Sequence, residues 1–125
     1  MKPGKATVEE NVYTWLKEVA GGWSVTPDIP TKRPNSFVTF DRTGGGYGDL
    51  VLDRAEILVE VYDKNSRTLA MQEAQKIART VNKLLEFENV TRAEVNSIIH
   101  LDDAISGYHR YQIYLDVYQR ITIVD

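Results

Sequence analysis

The chain has 125 residues, 42% of them apolar and 26% charged, a composition that fits one soluble globular domain spanning residues 1–125. It contains no cysteine, which excludes a disulfide framework, a thiolate nucleophile and zinc-finger spacing, and its net charge of -3 argues against a surface built to grip phosphates. No apolar run approaches the roughly 18 residues of a membrane-spanning helix, and the opening Met1-Lys2-Pro3-Gly4-Lys5 has no apolar signal region, so a cytoplasmic site of synthesis is expected.

The first helix is expected after Thr7. Thr7 and Glu10 have the spacing of a capping box, and Val8, Val12, Trp15, Leu16 and Val19 form one apolar stripe. Gly21-Gly22 ends it. Trp23-Ser24-Val25 reads as a short extended piece. Pro27, Pro30 and Pro34 then keep residues 26–35 out of a sheet interior, as a surface arm.

Ser36-Phe37-Val38-Thr39-Phe40-Asp41 reads as a strand, with Val38 on one face and Phe37 and Thr39 on the other. Residues 43–49, with Gly44, Gly45, Gly46, Tyr47 and Gly48, read as a flexible hairpin loop. Leu50-Val51-Leu52 would extend the returning arm. That arm, Ala55-Glu56-Ile57-Leu58-Val59-Glu60-Val61-Tyr62, alternates cleanly: Ile57, Val59 and Val61 on one face, Glu56, Leu58, Glu60 and Tyr62 on the other.

Ser66 is a good N-cap. A long amphipathic helix follows, with Leu69, Ala70, Ala74, Ile77, Ala78, Val81, Leu84 and Leu85 as its apolar stripe. Residues 90–101 read as a strand with Val95, Ser97, Ile99 and Leu101 on one face, and Asp102-Asp103-Ala104-Ile105-Ser106-Gly107 as a turn. The last strand places Tyr111, Ile113, Leu115 and Val117 inward and Arg110, Gln112, Tyr114, Asp116 and Tyr118 outward. The two final strands form a second hairpin. The predicted fold is α+β: a mostly antiparallel four- to five-stranded sheet with two helices packed on one face, in the order α-β-β-α-β-β.

Few residues point to chemistry. The glycine run lies between two strands, without the strand-to-helix context or the Gly-Lys-Ser/Thr of a phosphate cradle. His100, His109 and Asp102 could approach one another across the last turn, but they supply too few ligands of known spacing for a metal assignment, and two histidines at strand ends are the plainer reading. There is no Gly-x-Ser-x-Gly, no His-Glu-x-x-His and no carboxylate pair at a spacing that implies acid–base work, so no enzyme and no cofactor is expected. The outer face of the last strand is more informative: Arg110, Tyr114 and Tyr118 are residue types favoured at protein interfaces. A solvated face, or one partly covered by Trp15, is the alternative.

The order of elements resembles the tail terminator (tail completion, head–tail joining) proteins of long-tailed bacteriophages and prophages. The resemblance rests on the helix ending at Gly21-Gly22, the segment through Pro34, Gly44-Gly45-Gly46, Asp53 ahead of Ile57-Leu58-Val59-Glu60-Val61-Tyr62, Ser66-Arg67 leading Ala70, Ala74 and Ala78, and the tyrosine-rich closing strand. It implies a virion protein of the tail or neck, assembled in the host cytoplasm. It also implies a homo-oligomeric, hexameric ring that caps the tail tube protein, meets the head–tail connector protein and has no catalytic residues. DNA would pass through without specific binding, which a mildly acidic chain suits. Residues 26–35 and 44–49 are the expected reaching elements. A small protein-binding or adaptor domain is the alternative function.

Overall fold

The computed structural model describes residues 6–49 and 52–120. The elements run α1 (Val8–Val19), β1 (Ser24–Thr26), β2 (Ser36–Asp49), β3 (Leu52–Asp63), α2 (Arg67–Arg79), a 3-10 helix (Val81–Glu86), β4 (Val90–His100) and β5 (His109–Arg120). The strands form one five-stranded sheet in the order β1-β2-β3-β5-β4. β1 pairs with β2 in parallel and every other pair is antiparallel. This is the expected α+β architecture, with the short extended piece near Trp23 recruited as an edge strand.

Both helix starts follow their sequence signals. The Thr7 hydroxyl accepts from the Glu10 amide at 3.1 Å and the Glu10 carboxylate accepts from the Thr7 amide at 3.1 Å, a reciprocal capping box. Ser66 Oγ accepts from the Leu69 amide at 3.1 Å. At the end of α1, Gly22 takes a φ of 87° in the left-handed region that glycine enters without Cβ strain.

The core lies between the helices and one sheet face. Val8, Val12, Trp15 and Leu16 of α1 and Ala70, Ala74 and Ile77 of α2 are buried. They cover Val38 and Phe40 of β2, Ala55, Ile57, Val59 and Val61 of β3, and Ile113, Leu115 and Val117 of β5. The alternation on β3 and β5 is what aligns these side chains, since a period of two sends every second residue to one face. Trp15 is buried in this layer, and its indole N–H donates to the Thr80 carbonyl at 3.1 Å, tying α1 to the end of α2. It covers the helix-side face, so the tyrosine-bearing face of β5 is left without a helix.

Four expectations are corrected. The glycine run is strand: β2 continues through Gly44, Gly45 and Gly46, which pair with Glu56, Ala55 and Arg54, with irregularities at 42/44 and 47/49. The pairing comes from β3, whose own alternation is strong enough to carry a partner of low strand propensity. The second helix ends at Arg79, and the following 3-10 turn buries Leu84 but leaves Leu85 49% exposed, because three residues per turn rotates it off the line of its neighbour. Leu69 is 50% exposed on the first turn, outside the buried stripe. In β4 a register shift between Val95 and Ser97 breaks the period: Val95 pairs with inward Leu115, whereas Ser97 pairs with outward Tyr114. Val95 and Ser97 therefore face opposite sides. Of the residues expected to extend the first hairpin, Leu52 opens β3, while Leu50 and Val51 lie outside the described residues.

Candidate subunit interface

The face of the sheet turned away from the helices presents side chains in cross-strand rows. At the proximal end, Phe37, Tyr62 and Tyr108 form a second, small buried cluster. Phe37 and Tyr62 stack with ring centres 4.5 Å apart, and Tyr108 meets Phe37 edge-on at 5.6 Å. The Tyr108 hydroxyl donates to the Pro34 carbonyl at 2.9 Å, and Arg33 lies over the Tyr108 ring. The proline-containing arm is thereby fastened to the sheet. Burial pushes the Tyr62 phenol above its ordinary value, so that phenol stays uncharged across the physiological range.

The next row, Thr39, Glu60, Gln112 and Ile99, is still buried at Thr39, and the rows beyond it are open. Asp41, Leu58, Tyr114 and Ser97 form one row across β2, β3, β5 and β4. The next holds Gly44, Glu56, Asp116 and Glu94, and the last Gly46, Arg54, Tyr118 and Arg92. Three carboxylates thus stand on neighbouring strands, with Asn96 donating to Asp116 at 2.8 Å and Arg92 to Glu94 at 3.2 Å. Like charges directly opposite destabilise an isolated sheet. Arg92 also lies over the Tyr118 ring at 5.4 Å. Tyr114 and Tyr118 are half-buried in this surface. Gly44, Gly45 and Gly46 border it on β2 as backbone, and Tyr47 and Gly48 continue the same strand. Arg110 is engaged within the chain: its Nε donates to the Leu101 carbonyl at 2.9 Å and its guanidinium lies 3.5 Å from the Glu60 carboxylate.

The acidic turn is held largely by its own side chains, with Arg33 of the arm 3.5 Å from the Asp103 carboxylate. Asp102 holds His100 Nε2 at 2.6 Å by one oxygen and lies 3.7 Å from His109 Nδ1 by the other. The histidines do approach one another, through a shared carboxylate. Among the described residues no three ligand-type side chains are gathered as a metal set. Asp103 accepts from the Ser106 hydroxyl at 2.6 Å and from the Ile105 amide at 3.2 Å. The Ser106 hydrogen bond holds its carboxyl below the ordinary 3.8. A depressed folded value means stability that is present above the unfolded value and is lost as pH falls through the folded one. The protection of the Ser106 and Gly107 amides, taken against the intrinsic exchange rate at each pH, is therefore expected to fall in acid, starting below about pH 4, and to stay level in Asp103→Asn. Protection that stays constant with pH in the native chain would contradict this.

A further surface had no single-face signal in the sequence. Ile98, Ile99, Leu101 and Ile105 are exposed around the tip of the second hairpin, Ile105 fully. The adjacent Ile98-Ile99 pair in a strand that otherwise alternates is the trace it leaves in the sequence. A shallow apolar groove lies on the opposite side of the molecule, lined by Tyr13, Pro27 and Phe40 with Glu9 and Glu10 at its rim.

No family model matches the sequence, and no curated protein does. Among solved structures the chain is similar to a component of the virion of a native gene transfer agent particle, with a TM-score of 0.60 and 8% identity over 84% of this chain and 84% of that one. At that identity the likeness is one of fold, and it takes in almost the whole domain.

Proposed function

We propose that the chain is a structural subunit of a phage-like particle, acting as a tail terminator. Copies would close into a ring, hexameric by resemblance to that family, on the end of the tail tube protein, and present a surface to the head–tail connector protein. The observation that supports this most is the fold shared with a gene transfer agent virion component across 84% of both chains. The open sheet face, with Tyr114 and Tyr118 among rows of charge, supplies the amphipathic contact area that protein partners favour. The glycine-bearing half of β2 and the arm at residues 27–35 lie beside it as further contact elements. A ring of net-acidic subunits would let DNA pass by repelling phosphate. The role is one of shape and contact, in the tail or neck of the virion, without bond-making chemistry.

Native mass spectrometry over a range of protein concentrations tests the assembly. The expected result is a closed species of about six subunits, since rings arise when one patch meets a different patch and the rotation closes. A chain that stays monomeric at high concentration, with tail tubes present as well as absent, would overturn the reading.

A further inference from the structure

The sheet ends in two unlike edges. Among the described residues no strand lies beyond β4, and β1 covers β2 only at residues 37–39. Beyond that stretch, residues 40–49 of β2 have no strand on that side among the described residues. Unpaired edges are a liability in a free domain and a template for another chain.

From these edges we infer that a second copy of this chain docks by pairing the first part of its β4 with the uncovered half of β2. The inference rests on the ring-forming function proposed above. Three observations carry it. The first is direction. Each step from β2 to β3 to β5 to β4 reverses the chain, so β4 runs opposite to β2. A copy turned about an axis along the strands keeps its orientation, and its β2 meets the first copy's β4 in the antiparallel sense. The contact is heterologous, which is what ring closure requires.

The second observation is length. Following the rows across the sheet, Arg92 is level with Gly46, Glu94 with Gly44 and Ser97 with Asp41. Residues 90–97 thus match the stretch that β1 leaves open. The bulge between Val95 and Ser97 falls where β4 has to turn past β1 of the neighbour. Opposite Arg92 the partner strand offers Gly46, over which there is open space for the arginine side chain, while the space over Gly44 is filled by the Glu56 carboxylate.

The third is shape. Ile98 pairs with inward Ile113, so it faces the helix side of the sheet, yet it is 41% exposed. Phe40, at the same level on β2, faces that side too and stacks on Tyr13 at 5.6 Å. With Pro27 these rings form the apolar groove at the β2 edge. An apolar knob on one edge and an apolar groove on the other share one level and one face, so Ile98 of one copy is placed to enter the groove of the next.

The sequence has no cysteine, so introduced ones report cleanly. Asp41→Cys and Ser97→Cys are made in separate chains, as are Gly46→Cys and Arg92→Cys, each mixed with its level-mate and bridged by a short bismaleimide. An added Cβ at Gly46 meets nothing within 4 Å, so that site tolerates the change. The expected result is a cross-linked dimer in each mixture and none in any single variant. Ile98→Lys, exposed enough to fold normally, should abolish both the cross-link and the ring while leaving the melting temperature of the monomer, compared at dilutions where neither protein assembles, unchanged. A Ser97→Cys chain that cross-links to itself would show β4 pairing with β4 and overturn the inference. A closed ring by native mass without a mixed cross-link would overturn the edge pairing alone and leave the terminator reading standing. Mixed cross-links building open filaments would keep the pairing and refute the ring. Monomers without cross-links would refute both.

Discussion

Gly45→Val is expected to destabilise the first hairpin by about 3 kcal/mol and to abolish assembly. Gly45 has a φ of 101°, which a β-branched residue adopts only under strain. An added Cβ would also run into the backbone carbonyl of Arg54 on the paired strand, with the Arg54 carbonyl carbon at 3.0 Å and the Ala55 Cα at 3.1 Å. Neither neighbour is the free end of a side chain, so relief requires the two strands to part. The loss should fall on the distal half of β2 and β3, because the proximal half is held by Phe37, Tyr62 and the helix-side core. Gly46→Ala is the matched control, expected within about half a kcal/mol of the native chain since its Cβ enters open space. Urea denaturation of both variants checks the contrast. Equal stability of the two would mean that the run is a pliable loop after all.

Phe37→Ala has the next largest expected effect, roughly 3 to 5 kcal/mol. The ring is fully buried, stacked on Tyr62 and met edge-on by Tyr108. Its loss empties the smaller core on the open face, where only the arm and the second hairpin can collapse into the space. Tyr108 would then hold Pro34 less firmly, and the Arg33–Asp103 pair at 3.5 Å would loosen with it. Trypsin should cut after exposed Lys32 faster than in the native chain, at denaturant concentrations where both proteins remain folded. Unchanged cleavage would mean that the arm is held by something other than the aromatic cluster.

These two sites differ in how far the sequence revealed them. The helices announced themselves through Thr7, Glu10 and Ser66, because a cap is a local hydrogen bond between residues three apart. β3 and β5 were legible through strict alternation. The glycine run is not legible as strand because its strand character is lent by Arg54, Ala55 and Glu56 across the pair, which no local pattern on β2 records. The parallel pairing of β1 and the bulge in β4 are likewise decided by partners, and the bulge moved Val95 to the opposite face from Ser97. Tyr114 and Tyr118 face outward, as the alternation along β5 predicts. Their setting, an acidic row beside an arginine–tyrosine–arginine row, depends on the order β3-β5-β4, which alternation within one strand cannot show. The exposed Ile98 and the groove at Phe40 belong to opposite edges of the sheet and meet only between copies.

The most direct measurement is electron microscopy of growing tail tubes incubated with the purified chain, with its position marked by an antibody or tag. If the chain is a terminator, tubes stop at a defined point and carry a ring of it at one tip. Tubes that lengthen as before, with no added density at either end, would contradict the proposed role.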